Sequence, residues 1–208
     1  MTKCEMKMNL RMFGGWDEVL REGNTVTKTE FTKLKNGITE LRFLDDEPFV
    51  RWAHWLASAK RNVSCIGAGC PVCEAIKTAK STGAKVPYNS NRKFAMHVYN
   101  VTNGQIEILE QGKNFFTQLH ALHEEVGDIR GYNIKVKTQN AGSTDVIYTL
   151  LPGAPTEMPE EAKNAELKPF DEVFKKPTRE QVIALMSGVS PEQVFSNKSS
   201  EEDEDVQI

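Results

Sequence analysis

Lys93-Phe-Ala-Met-His-Val-Tyr-Asn-Val-Thr102, then Asn103-Gly104, then Gln105-Ile-Glu-Ile-Leu-Glu110 is the stretch on which the reading of the fold turns. Aromatic and β-branched residues dominate its first arm, as a pleated, half-buried strand requires. Asn103 and Gly104 both tolerate positive φ, so the two arms read as a hairpin closed by a two-residue turn. On the C-terminal side, Gly112–Val126 reads as a helix. Its apolar stripe is Phe115, Leu119, Leu122 and Val126, spaced by four, three and four. Two further strands are expected at Tyr132–Thr138 and Asp145–Leu151, joined by Asn140-Ala-Gly-Ser143. On the N-terminal side, Ile38 to Leu44 alternates apolar and polar as a half-buried strand does. Asp45-Asp-Glu-Pro48 is a turn, and Phe49–Leu56 a second strand. Strands, a hairpin, one helix and two strands is an order that suits the OB-fold, a five-stranded Greek-key barrel.

Between the second strand and the hairpin lies Cys65-x4-Cys70-Pro71-Val72-Cys73. The Cys-x2-Cys turn presents two thiolates to one ion, and zinc asks for four tetrahedral soft or borderline ligands. Gly67 and Gly69 let the loop close tightly, and Pro71 opens a helix that runs through Lys80. Ser81–Asn91 is polar and reads as a loop. Cys65 gives a third thiolate, and His54 on the second strand is the choice for the fourth ligand. The competing ligands are His97, His120, His123 and Cys4. A closed four-ligand site has no open position for water, so the expected cofactor is one structural zinc. The expected fold class is mainly β, a β-barrel of OB type with a small zinc-binding subdomain and a few helices.

An enzyme is not expected. The only His-x-Glu, at His123, follows the cysteines, which is the wrong order for a zinc deaminase, and Gly69 rather than Pro precedes Cys70. No nucleophile elbow, Walker loop or dinucleotide fingerprint is present. No run approaches the ~18 apolar residues of a membrane span. Met1–Arg11 lacks the apolar stretch of a secretory signal, so the expected location is cytoplasm. Hydrophobic content of 39% and charged content of 26% are those of an ordinary globular chain.

Charge is unevenly distributed. Residues 1–155 carry 20 Lys/Arg against 16 Asp/Glu, and residues 156–208 carry 6 against 13. From Pro48 to Asn100, eight cations (among them Arg51, Lys60, Arg61, Arg92 and Lys93) face one acid, Glu74. That imbalance is the footprint of a polyanionic partner. The domain reading is an N-terminal arm at 1–37, a core at 38–155 with a zinc-binding insertion at about 54–91, and an acidic, largely flexible region at 156–208 with two weak helical segments near Phe170–Phe174 and Arg179–Met186. The arm contains one short amphipathic stretch, Trp16–Leu20. The end of the chain holds Glu201, Glu202, Asp203, Glu204 and Asp205 in a segment too polar to fold.

With these residues in place, the chain resembles the zinc-containing single-stranded-DNA-binding, or helix-destabilising, proteins of T-even and related tailed phages. The resemblance rests on His54…Cys65…Cys70-Pro-Val-Cys73, the basic-aromatic strand from Arg92-Lys93-Phe94 to Val101, and Ile106–Lys113 leading into the helix. The acidic end matches too, and the cover is roughly residues 38–155 plus the tail character. The interval from Cys65 to Cys70 is shorter than in the T-even representative. Only scattered Lys3, Lys7 and Arg11 stand where that family carries a basic motif for cooperative filaments. The resemblance implies an OB-fold, one structural zinc on His54, Cys65, Cys70 and Cys73, and sequence-tolerant binding of single-stranded DNA. It also implies roles in phage DNA replication, recombination and repair in a bacterial host, with replication and recombination proteins reached through the acidic tail. By position it points to Tyr88, Arg92, Lys93 and Phe94, with Lys60 and Arg61 on the near side, as DNA contacts. Trp52, Trp55 and Tyr99 are further candidates. Strand alternation puts Trp52 and Trp55 on opposite faces, so at most one of them is expected to stack on DNA and the other to be core. The alternative function is a zinc-ribbon adaptor that binds replication or transcription proteins rather than DNA.

Overall fold

The computed structural model describes residues 30–196. Seven strands form one antiparallel sheet: β1 (Gly37–Phe43), β2 (Phe49–Leu56), β3 (Arg61–Ser64), β4 (Asn89–Asn100), β5 (Gln105–Gln111), β6 (Tyr132–Gln139) and β7 (Ile147–Pro155). The neighbour order is β3-β2-β4-β1-β6-β7, with β5 paired to β4. The twelve-residue β4 is the spine of the sheet. β2 pairs along its first half and β1 along its last three residues, on one edge, while β5 pairs with Phe94–Asn100 on the other. Helix α1 (Pro71–Ser81) follows β3, and α2 (Lys113–Val126) lies between β5 and β6.

The main core sits between the sheet and α2. Leu41, Phe43, Met96, Val98, Leu109 and Ile134 from the strands meet Phe115, Phe116, Leu119 and Leu122 from the helix. The apolar stripe thus faces the sheet as expected, with Val126 packed at its edge. Gly127 at φ 80° stops α2, a backbone state that costs glycine little.

Several expectations are corrected. The sheet is not a closed barrel: among the described residues β5 and β7 do not pair. The reason lies on the outer edge of β5. Ile108 N–H donates to the Glu30 carbonyl at 2.9 Å, and its carbonyl accepts from Thr32 N–H at 2.9 Å. The position a closing strand would take is therefore held by Glu30–Thr32. Glu107 anchors that segment, its buried carboxylate accepting from the Thr32 hydroxyl at 2.7 Å and from the side chains of Asn100 and Asn103. At the end of β5, Tyr148 Oη of β7 donates to Gln111 Oε1 at 3.0 Å.

The hairpin turn has four residues, Val101–Gly104, rather than two. Gly104 N–H bonds the Asn100 carbonyl at 2.8 Å, and of the pair only Gly104 takes positive φ. β3 was absent from the sequence reading, and β4 begins at Asn89, inside the expected loop. From 156 onward the two expected helical segments, near Phe170–Phe174 and Arg179–Met186, are present, with two further short helices beside them. The described part of this region, to Ser196, forms α3 (Glu160–Lys163), α4 (Phe170–Val173), α5 (Arg179–Met186) and α6 (Pro191–Ser196). Val182 and Leu185 of α5 are buried in a second core with Leu56, Val63, Cys70 and Val72. Each such aliphatic side chain contributes roughly 1.5–3 kcal/mol on burial. Thr178 and Gln181 close a capping box at the start of α5. The N-terminal stretch Trp16–Leu20, Cys4 and the acids 201–205 lie outside the described residues.

Candidate metal centre and nucleic-acid face

The β2–β3 hairpin carries the first two members of the site. His54 pairs with Val63 across the ladder, so the chain leaving β3 at Ser64 brings Cys65 back beside His54. Gly67 and Gly69, at φ 85° and 71°, then fold the loop so that Cys70 N–H bonds the Gly67 carbonyl at 3.2 Å. Cys70 is the N-cap of α1, Pro71 opens the helix, and Cys73 sits in the first turn. The ligand atoms of His54, Cys65, Cys70 and Cys73 all lie within 4.8 Å of one another. His54 Nε2 is 3.5 Å from Cys70 Sγ and 3.5 Å from Cys73 Sγ, and Cys65 Sγ is 3.7 Å from Cys73 Sγ. These four residues could hold one metal ion.

Protonation fits that role. Burial lowers the His54 pKa, with the Asn89 backbone opposing, so the imidazole is neutral and Nε2 can present a lone pair. Its Nδ1 is buried without a well-formed hydrogen bond, and the Asn89 backbone is the polar group beside it. A ring nitrogen turned to backbone is the usual partner of a metal-facing one. Burial and the neighbouring thiols of Cys65 and Cys70 push Cys73 up to about 12. Burial works in the same sense on Cys70, yet backbone groups of Cys73, Ile66 and Val72 outweigh it and lower its pKa. Three thiols thus converge where the protein alone cannot ionise them all, and a cation relieves that conflict.

The competing histidines are elsewhere. His97 is buried on β4, with Nδ1 3.0 Å from Asp45 Oδ2 and Nε2 3.0 Å from the Lys168 carbonyl. His120 and His123 are exposed on α2, along a cavity of about 480 Å³ floored by Phe94, Met96 and Phe116.

The nine residues expected to meet DNA do not form one cluster. Trp52 and Arg92 are cross-strand partners, and the guanidinium lies 5.3 Å from the indole. Trp52 is 51% exposed and Trp55 44% exposed, so neither is core, contrary to expectation. Lys60 and Arg61 are exposed at the hairpin tip, Arg61 over the Phe195 ring at 5.7 Å. Lys93 is half-buried opposite Arg51. Phe94 stacks on Phe116 at 5.3 Å and packs on the main core. Tyr88 packs on the second core, and Tyr99 lies half-buried at the far end of β4. Among the described residues Lys60, Arg61, Arg92 and Lys93 make no ion pair.

A cleft of about 580 Å³ opens beside Trp52, between the Cys65–Gly67 loop and the segment that carries Asp171, Phe174 and Lys176. Arg51 lines it, paired with Glu110 at 2.6 Å and bonded to Ser64 Oγ at 3.0 Å. Phe49 opens an expected strand and Phe170–Phe174 is an expected helical segment, but nothing in the sequence signals that their rings meet, at 5.0 and 6.0 Å. No family model, curated protein or solved structure matches the chain. No described helix is long and apolar enough to cross a membrane.

Proposed function

We propose that this chain is a sequence-tolerant single-stranded-DNA-binding protein with one structural zinc on His54, Cys65, Cys70 and Cys73. For zinc, the supporting observation is metric. Bonds of about 2.3 Å to sulfur and about 2.0–2.1 Å to nitrogen at tetrahedral angles separate two sulfurs by ~3.75 Å, and sulfur from nitrogen by ~3.55 Å. The 3.7 Å and 3.5 Å separations of the cluster agree with both. A bound zinc ties the β2–β3 hairpin to the N-terminus of α1, which is a structural service. Four protein ligands leave no place for a reacting water.

The OB-fold is part of the reading. Taking β1, β4, β5, β6 and β7 as its five strands gives the neighbour order 3-2-1-4-5 with the helix after the third, as a partly open barrel of that kind has. The β2–β3 ribbon and α1 are then an insertion between the first two strands.

The observation that carries DNA binding is the half-exposed Trp52 under the Arg92 guanidinium, at the mouth of the cleft and on the sparsely neutralised Pro48–Asn100 surface. Sequence-tolerant binding of single strands combines stacking faces with cations that follow the phosphates. Service in phage replication, recombination and repair inside a bacterial host, with an acidic tail for partner proteins, rests on the sequence resemblance. The test is a titration of zinc-loaded protein on oligo-dT and on a duplex at two salt concentrations. Preference for the single strand, weakening with salt, is expected; equal affinity for the two, or no binding, would leave the adaptor reading in its place.

A further inference from the structure

On β2, β4 and β5 the sheet face away from α2 bears Phe49, Arg51, Ala95, His97 and Glu110, which register and alternation bring to one side. The segment Lys168–Phe174 crosses this face. Its Phe170 ring stacks on His97 at 4.2 Å and on Phe49 at 5.0 Å, inclined by 25° and 20°. Phe174 lies 6.0 Å from Phe49 and within 3° of parallel, and the Arg51 guanidinium is 4.3 Å from its centroid. Three near-parallel rings with a guanidinium against one of them is how proteins arrange themselves around unpaired bases. The segment also carries exposed carboxylates, Asp171 and Glu172, and Asp171 lines the cleft beside Trp52. Rings and carboxylates in alternation present the same chemistry as bases and phosphates.

No residue of α4 is buried, and two polar contacts anchor the segment to the sheet: His97 Nε2 lies 3.0 Å from the Lys168 carbonyl, and Ser64 Oγ donates to the Phe174 carbonyl at 3.4 Å. Elements with few buried contacts are the ones that open first.

Resting on the single-strand reading above, we propose that Phe49 and Arg51 form a second base-stacking subsite which the chain's own Lys168–Phe174 strap occupies, so that single-stranded nucleic acid and the strap compete for it. The strap then lowers affinity by the fraction of molecules it keeps closed.

Full-length, zinc-loaded protein titrated with a short oligo-dT tests this. Phe170→Ala/Phe174→Ala should bind about three- to tenfold more tightly than the parent, the gain of a site freed from its own cover. Adding Phe49→Ala should abolish the gain. A double variant that binds like the parent, or a gain that survives Phe49→Ala, overturns the proposal. Should the double variant melt out, Asp45→Asn loosens the His97 anchor from the other side and leaves the rings in place. It should give a smaller gain in the same direction, and no gain there also overturns the proposal. In the unaltered protein, saturating oligo-dT should speed hydrogen exchange at Glu172, Val173 and Phe174, whose amides bond to Pro169 and Phe170 carbonyls; slower or equal exchange overturns it. Binding by the parent without these effects removes this inference alone, whereas no binding by any variant removes the single-strand reading with it.

Discussion

His54 and Cys70 are the buried half of the cysteine–histidine cluster. Cys70→Ser or Cys73→Ser should lose the metal and several kcal/mol of stability, about 10 °C in a chain of this size. His54→Ala should do the same, read by metal analysis and thermal melting, while His120→Ala should do neither. Unchanged melting after metal removal would contradict a structural zinc. His97 affords a pH prediction of its own. Burial opposes its charge, but the hydrogen bond and charge of Asp45, with the Lys168 backbone, outweigh burial and raise its pKa above 6.5. A raised folded value gives stability that is complete below the unfolded pKa and is lost as pH rises through the folded one. The zinc-loaded protein should therefore melt at a lower temperature as pH climbs from about 6 to about 8, and His97→Gln should flatten that slope.

Among the elements, β4 bears on binding most directly, since it supplies Arg92 opposite Trp52. Neutralising about four to six phosphates of a single strand gives log K against log salt a slope of roughly −3 to −4. Replacing Arg92 and Lys93 together should flatten it. Trp52→Ala should cost about 1–3 kcal/mol and leave the slope nearly unchanged, because stacking releases few counterions. The ease of reading each element followed its own logic. The second arm of the hairpin, α2 and the cysteine loop were legible because their signals are local: alternation, a helical stripe, and thiols within nine residues. β3 was not, because Arg61-Asn-Val-Ser64 is four residues with one apolar position, Val63, that the second core buries. The strap was legible as a helical segment but not in its packing, since Phe170 and Phe174 meet Phe49 and His97, far away in the chain. The tryptophans misled for a third reason. Alternation assumes that each face of a strand is either core or solvent, whereas Trp52 and Trp55 are both exposed although Ala53 and His54, one on each face between them, are buried.

At the scale of the whole molecule, the acidic balance of residues 156–208 divides into two parts. One part, to Ser196, is built onto the body and joined to it by Arg179, which bonds Glu74 at 2.8 Å and the Gly69 carbonyl beside the metal loop. The other contains the acids Glu201–Asp205. An acidic segment joined to a basic surface by a short flexible linker competes for it at an effective concentration of order millimolar. Removing residues 199–208 should tighten oligo-dT binding about two- to fivefold at low salt and by little at high salt, because exposed pairs are weak and screened. The strap variants should keep their gain at both salts, so one titration series distinguishes the two effects. Equal affinity of full-length and shortened protein at low salt would mean that the tail does not compete with DNA.

Two of the three outer margins of the sheet, those of β5 and β7, bear on how copies of the chain would meet side by side if it binds as proposed. A protein that coats a long strand stands shoulder to shoulder with its neighbours, where bare strand margins would zip one molecule to the next into a growing aggregate. Along β5 that zipper is spoiled by Glu30–Thr32, which takes up the amide and carbonyl of Ile108. Along β7 it is spoiled by Pro152 and Pro155, which have no amide to give, although Ile147 and Leu151 stay 53% and 52% exposed. Cutting the chain back past Thr32 would strip the first guard while leaving the metal loop untouched. Such a shortened protein should scatter light at concentrations where the full chain stays clear.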